Sequence, residues 1–366
     1  MFADPRYPIE EPPAPGTTIE VAPGVKWLQM PLPFSLNHIN LYLIEDGEGW
    51  AIVDTGIRDE GVQEIWQEIF DKEMDGKPVT KVIATHMHPD HLGNAGWICR
   101  KWDVEFYISR TEFYHSRGIS GAHVGEFPDE AMRFYHRGGL AQQTMDEIRE
   151  RGFGNYGEIV ETLPMSYRRL MDGDVLELGG KPWKIITGSG HSPEHVCLYC
   201  EERDILISGD QVLPRITSNV SVHPMEPEEN PLKFWLASHR KFLNELPETA
   251  FVLPAHNRPV YGLHDRLNFL IHHHEDRMQA LMETCIEPKK ASDLLDVLFE
   301  RELDSFQMML AIGECYAHLH CLMERNRMTR FLGEDGIYRF QCTDHSRALH
   351  ETRVEHDKRD PEPMMV

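Results

Sequence analysis

The sequence predicts a layered α/β fold that carries a helical insertion and ends in a small module of helices and a hairpin. Three observations predict it. Short β-like runs open the chain, strands then alternate with helices, and two stretches replace that rhythm with helical patterning of their own.

Taken in order, residues 1–17 are acidic and Pro-rich and read as an extended arm. They have neither the basic start nor the apolar stretch of a signal peptide. From Thr18, IEVAPGVKWLQM reads as two strands, and INLYLIED and WAIVDTG flank a Gly-containing hairpin turn. GVQEIWQEIFDKEM places Val62, Ile65, Trp66 and Ile69 on one helical face. KVIAT is a buried strand, GNAGWICRKW a helix and VEFYIS another strand.

Residues 111–170 are helical and polar-aromatic, with Phe113, Tyr114, His115, Phe134, Tyr135, His136 and Tyr167, and read as a lid or dimer element, or as a surface helical hairpin. Strands return in VLELGG, WKIITGSG, HVCLYC and DILISGD, and a helix near 231–246 precedes AFVLPAH. The principal domain is therefore expected at 18–270. A winged-helix-like module follows at 271–344, with an EDG turn in its hairpin, and a disordered tail at 345–366.

Composition narrows the function. Of 366 residues, 41% are hydrophobic, enough for a sizeable core, and the formal net charge is -23. Such a surface repels phosphate backbones and anionic membranes, which argues against nucleic acid as a partner. No apolar run reaches the ~20 residues of a membrane helix, so the expected location is cytoplasmic. Seven cysteines without paired spacing read as thiols, and Cys197 and Cys200, three apart on a strand, face opposite sides. A homodimer is compatible with the two helical additions.

The chemistry concentrates in VIATHMHPDHLG. A strand delivers His86 and His88, two apart in extended backbone and so turned the same way. Pro89 can open a helix that continues through GNAGW, with Asp90 and His91 at its start facing a second point. Three further candidates sit at strand ends: His191 in GSGHSPEH, Asp210 in ISGDQ and His256 in LPAHN. With 21 histidines in the chain a single match means little, but a cluster with three strand-end ligands points to metal. His272, His273 and His274 run consecutively on a helix and read as structural or solvent-facing.

THMHPDHLGN resembles the HxHxDH signature of the metallo-β-lactamase superfamily, and INLYLI and IVDTG resemble its opening hairpins. The resemblance covers roughly residues 18–270 and implies an αββα sandwich with its site at the sandwich edge. It implies that His86, His88 and His191 hold one ion, that Asp90, His91 and His256 hold a second, and that Asp210 bridges them. Asp54 matches the aspartate that orients a ligand histidine. The chain looks most like the glyoxalase-II-type and β-lactamase-like hydrolases that carry a C-terminal module. The region from Ser109 to Met171 is longer than in compact members, the Arg/Lys set that grips glutathione is missing, and no β-CASP domain is present.

The expected function is a dinuclear metal-dependent hydrolase of a thioester, lactone or ester of a small to medium acyl compound. Two divalent ions would make hydroxide available at neutral pH, with Asp90 as the catalytic residue that orients the nucleophile and shuttles its proton. His/Asp ligation suits zinc first, and also iron or manganese. The competing readings are an endoribonuclease or phosphodiesterase, a β-lactam-hydrolysing side activity, and a structural or redox metal protein. Phe34 and Asn37 in PFSLNHIN are expected on a loop near the site, and Tyr114, His115, Tyr135 and His136 are expected mainly as packing.

Overall fold

In the computed structural model the structure describes residues 5–34, 36–121, 125, 127–152 and 156–343. The first four residues of the expected arm and the tail expected at 345–366 lie outside the described residues. A seven-stranded sheet runs in chain order through β1 (Ile19–Ala22), β2 (Val25–Pro31), β3 (His38–Asp46), β4 (Gly49–Val53), β5 (Val79–Ile83), β6 (Glu105–Ser109) and β7 (Arg168–Leu170). Its first four strands form an antiparallel meander and β4 to β7 are parallel. A five-stranded sheet contains β8 (Val175–Leu178), β9 (Lys181–Gly188), β10 (His195–Cys200), β11 (Ile205–Gly209) and β12 (Phe251–Pro254), in the order β12-β11-β10-β9-β8. A separate hairpin pairs β13 (Met328–Leu332) with β14 (Tyr338–Cys342). The helices are α1 (Glu60–Lys72), α2 (Pro89–Leu92), α3 (Ala95–Trp102), α4 (Arg110–Ser120), α5 (Asp129–Gly138), α6 (Gln142–Arg151), α7 (Tyr156–Ile159), α8 (Pro231–Glu245), α9 (Leu263–Thr284), α10 (Leu295–Leu298) and α11 (Ser305–Glu324).

Side-chain alternation along the strands builds the layers. Tyr42, Ile44, Ala51 and Val53 of the first sheet meet Trp183, Ile185, Val196 and Leu198 of the second in a central apolar layer. The intervening Leu41, Leu43 and Ile52 face outward onto Trp66 and Ile69 of α1 and Ile98 of α3. On the other side Ile186, Cys197, Tyr199 and Leu206 pack against Phe242 of α8 and Leu267 of α9. The result is a four-layer αββα sandwich. Cys197 and Cys200 are buried on opposite faces of the second sheet, and Cys99, Cys285, Cys315 and Cys321 are also buried.

Two expectations need correction. The helix expected to run from Pro89 through GNAGW is broken into α2 and α3. A Cβ on Gly93 would lie 2.4 Å from both Arg58 N and Gly56 O, and Asn94 Nδ2 donates to the carbonyls of Thr55, Gly56 and Ile57, so the chain is pulled against the β4–α1 loop there. The stretch 111–170 is not helical throughout and not a surface hairpin. Its end forms β7, and α5 and α6 bury Ala131, Met132, Phe134, Tyr135, Met145 and Ile148 in the apolar cluster centred on α11. The division expected at 270/271 falls inside α9. Leu263 and Leu267 of that helix pack with the second sheet, while Met278, Leu281 and Met282 pack with α11 and the β13–β14 hairpin.

The described part of the N-terminal arm is extended and pinned. Arg6 and Tyr261 exchange main-chain hydrogen bonds of 3.1 and 2.9 Å, and Arg258 Nη1 donates to Glu10 O at 2.7 Å. Tyr114 is exposed, and His136 reaches Asp335 O at 3.3 Å, so neither meets the strand-end histidines.

Candidate metal centre

Asp54, His86, His191, Asp210 and His256 each follow the last residue of a strand by one to three positions: β4, β5, β9, β11 and β12. Both sheets therefore present their ends at one edge of the sandwich. His88 is extended (φ -62°, ψ 147°) before Pro89, which opens α2, and α2 carries Asp90 and His91. All seven ligand-type side chains named from the sequence converge here, in two groups whose candidate ligand atoms lie within 4.8 Å of one another. One contains His86, His88, His191 and Asp210, and the other Asp90, His91 and His256.

In the first group His86 Nε2 is 2.9 Å from His88 Nδ1 and 3.3 Å from His191 Nε2, and His191 Nε2 is 3.3 Å from Asp210 Oδ2. The other oxygen of Asp210, Oδ1, lies 3.5 Å from His91 Nε2 and 3.4 Å from His256 Nε2. Asp90 Oδ2 lies 3.7 and 3.5 Å from those same two nitrogens. Asp210 thus turns one oxygen to each group.

Three imidazoles are oriented by their far nitrogen. His91 Nδ1 meets Asp54 Oδ2 at 2.7 Å, His256 Nδ1 donates to His38 O at 2.9 Å, and His191 Nδ1 donates to Asn219 O at 2.8 Å. Each contact turns Nε2 inward. Four inward atoms, His91 Nε2, His256 Nε2 and both Asp210 oxygens, are buried without a hydrogen-bond partner. Buried polar atoms are rarely left so, and cations held by the two groups would satisfy all four. The donor set, imidazole nitrogens and carboxylate oxygens without thiolate, suits a divalent ion.

The electrostatics agree. Burial, then the neighbouring imidazoles, holds His86 well below its ordinary range, and burial with His191 lowers His88 to about 3. Both are neutral and able to donate a lone pair. Against burial, the carboxylates of Asp90, Asp54 and Asp210 raise His91, and those of Asp210 and Asp90 raise His256; their positive charge in turn outweighs burial at Asp210 and keeps it ionised, a role a bound cation would take over.

Several residues that sequence reasoning missed hold this arrangement. Glu112, buried in the first turn of α4, accepts from Met87 N (3.0 Å), Ser192 Oγ (2.7 Å) and Glu194 N (2.7 Å), tying the His86–His88 loop to the His191 loop. His195 Nε2 accepts from Asp210 N at 3.0 Å and its ring stacks on His86. Asn40 donates to Pro254 O and Asn257 O on either side of His256. The signal for Glu112 in the sequence is a lone acidic residue beside Phe113 and Tyr114 in RTEFYHSRGIS.

A cleft of about 480 Å³ opens beside His38, the residue whose carbonyl holds His256. Asn37, Arg215 and Arg258 line it, and Pro12, Pro13 and Pro15 of the arm form one wall. Phe34 is half exposed and is not among its lining residues.

Against this geometry, residues 35–256 match the family model described as the metallo-beta-lactamase superfamily, and residues 278–343 match that for the metallo-beta-lactamase-like C-terminal domain. The chain belongs to the metallo-β-lactamase superfamily. It has that superfamily's sandwich and, at 278–343, a match to its C-terminal domain. A beta-lactamase domain protein from Burkholderia ambifaria is similar at TM-score 0.86 and 40% identity, covering 92% of this chain and 98% of the other. A metallo-beta-lactamase family protein from Thermus thermophilus is similar at TM-score 0.72 and 26% identity, covering 88% and 99%. Among curated relatives, the acyl-coenzyme A thioesterase MBLAC2 of Homo sapiens is 26% identical over 52% of this chain and 63% of its own length. The chain thus spans under two thirds of that relative's length. The probable metallo-hydrolase YqjP of Bacillus subtilis is 21% identical over 85% of this chain and 96% of its own. Among the described residues no helix is long and apolar enough to cross a membrane.

Proposed function

We propose that this hydrolase cleaves the thioester bond of a small to medium acyl compound, with two divalent cations, zinc first among them, held at the sandwich edge. The observation that carries the reading is Asp210, buried, with one oxygen turned to His191 and the other to His91 and His256. His86, His88 and His191 would hold one ion, Asp90, His91 and His256 the other, and Asp210 would serve both. Bound there, the ions supply Lewis acidity toward a carbonyl oxygen and lower the pKa of water.

The chain's own residues supply the remainder. Asp90 keeps 16% of its side chain exposed against 1% for Asp210, so it is the carboxylate able to take a proton from attacking water and pass it to the leaving sulfur. His195 fixes the main chain of Asp210, and Glu112 fixes the loops on either side. The cleft beside His38 is the place for the acyl compound, with Arg215 and Arg258 at its wall for an anionic group. The thioester preference, over lactone or simple ester, is supported by relatives named acyl-coenzyme A thioesterase and atrochrysone carboxyl ACP thioesterase. The formal charge of -23 disfavours the phosphodiesterase reading.

The test is elemental analysis of the purified full chain together with initial rates on acyl thioesters, lactones, a β-lactam and a labelled RNA. We expect two equivalents of metal and the highest kcat/KM on a thioester. Cleavage of RNA alone, or wild-type thioesterase activity in Asp90→Asn and His88→Ala at unchanged metal content, would overturn the reading.

A further inference from the structure

The loop that leaves β11 after Asp210 is held from two sides. On the sandwich side, Ser218 Oγ donates to Asp210 O, and Asn219 O accepts the Nδ1 proton of His191. On the other side the same loop is fastened to α11. Asn219 Nδ2 donates to Glu314 Oε2 at 3.4 Å, Ser221 Oγ to Leu310 O at 3.1 Å, and Val222 N to Gly313 O at 3.0 Å. Val220 and Val222 are buried in the apolar cluster with Ala311 and Ile312.

The fit is close. A Cβ on Gly313 would lie 2.6 Å from Val222 O and 2.9 Å from Ser221 Cβ, so only glycine lets the loop backbone reach the helix here. Glu314, 6% exposed, lies beneath the loop rather than in solvent.

The direction of a ligand imidazole is set by what its other nitrogen meets. For His91 that partner is Asp54 at the end of β4, and for His256 it is the main chain at the start of β3. For His191 it is a loop whose fastening lies in the C-terminal helices. We propose that α11 is a positioning element for the metal centre: Gly313 and Glu314 hold the Asn219 carbonyl where it fixes the tautomer and direction of His191. The C-terminal region thereby acts on the chemistry without touching substrate. The proposal rests on the reading of His191 as a metal ligand.

The experiment uses the full chain. Metal affinity and stoichiometry are measured by competition with a chromophoric chelator, and the visible spectrum of the cobalt-loaded protein reports ligand geometry. The variants are Gly313→Ala, Glu314→Leu and Glu314→Gln, with circular dichroism as the check on folding. We expect Gly313→Ala and Glu314→Leu, while folded, to lose one equivalent of metal with about 10- to 100-fold weaker affinity and to alter the cobalt spectrum. Glu314→Gln, which keeps an oxygen acceptor for Asn219, should resemble the wild type. Folded Gly313→Ala and Glu314→Leu proteins with both equivalents at wild-type affinity and an unchanged spectrum would overturn the proposal. Should either fail to fold, Asn219→Ala decides, because it cuts the tie to Glu314 and keeps the carbonyl; the same two outcomes apply. His191→Ala is run alongside. If it retains both equivalents at wild-type affinity, the reading of the metal centre fails instead.

Discussion

Asp54 Oδ2 lies 2.7 Å from Nδ1 of His91, both side chains are buried, and the same carboxylate also accepts from the main chain and hydroxyl of Thr85. Asp54 adopts φ +60°, a backbone conformation that asparagine tolerates better than alanine. Asp54→Asn is therefore the cleaner probe. We expect it to remain folded and to bind metal about 10- to 100-fold more weakly, measured by chelator competition. Unchanged affinity would mean that Asp54 plays no part in orienting His91.

Glu112 gathers three donors from two loops in a buried place. Glu112→Ala strands all three and should cost about 2–4 kcal/mol of stability, read as a lower urea midpoint. Metal content should fall with it, since Met87 lies between His86 and His88, and Ser192 follows His191. A variant as stable as the wild type would show that water replaces the carboxylate without loss.

Stripping the metal should destabilise the chain. Without a cation, Asp90 lies in the field of Asp210, and His91 Nε2 and His256 Nε2 between them are buried without partners. Returning zinc to a chelator-treated sample should raise the melting temperature, with about 4 kcal/mol of stabilisation at a thousandfold excess over Kd. A melting temperature indifferent to zinc would count against the centre.

Glu314 should make stability depend on pH. Burial pushes its carboxyl from 4.5 up to about 7, against the pull of Arg277. The folded state then holds the proton more firmly than the unfolded one. That contribution is complete below the unfolded value and is lost as pH rises through about 7, on the order of 3 kcal/mol in all. Glu314→Gln removes the titration. The wild type should lose melting temperature relative to Glu314→Gln as pH is raised across this window, and parallel curves for the two proteins would contradict it.

Much of the candidate centre could be read from the chain because its ligand-type side chains obey short-range rules. His86, His88, Asp90 and His91 are crowded into one turn after a strand, and the others sit where strands end. The sandwich was legible for a similar reason, since alternation in INLYLIED and helical spacing in GVQEIWQEIF each declare a face. The supporting residues were not. Glu112, Asn40 and Asn219 act through main-chain groups that are remote in sequence, and such contacts leave no periodic trace. The break at Gly93 depends on the loop around Gly56, and the burial of α5 and α6 depends on α11, which enters the chain much later.

The continuity of α9 has a practical outcome for anyone dissecting this molecule. Its single apolar stripe serves the second sheet at one end and the α11 cluster at the other. Scission at its middle would leave two fragments, each with a raw greasy flank. We expect such halves to be insoluble when produced separately and to regain solubility when co-expressed, so this architecture is welded rather than modular.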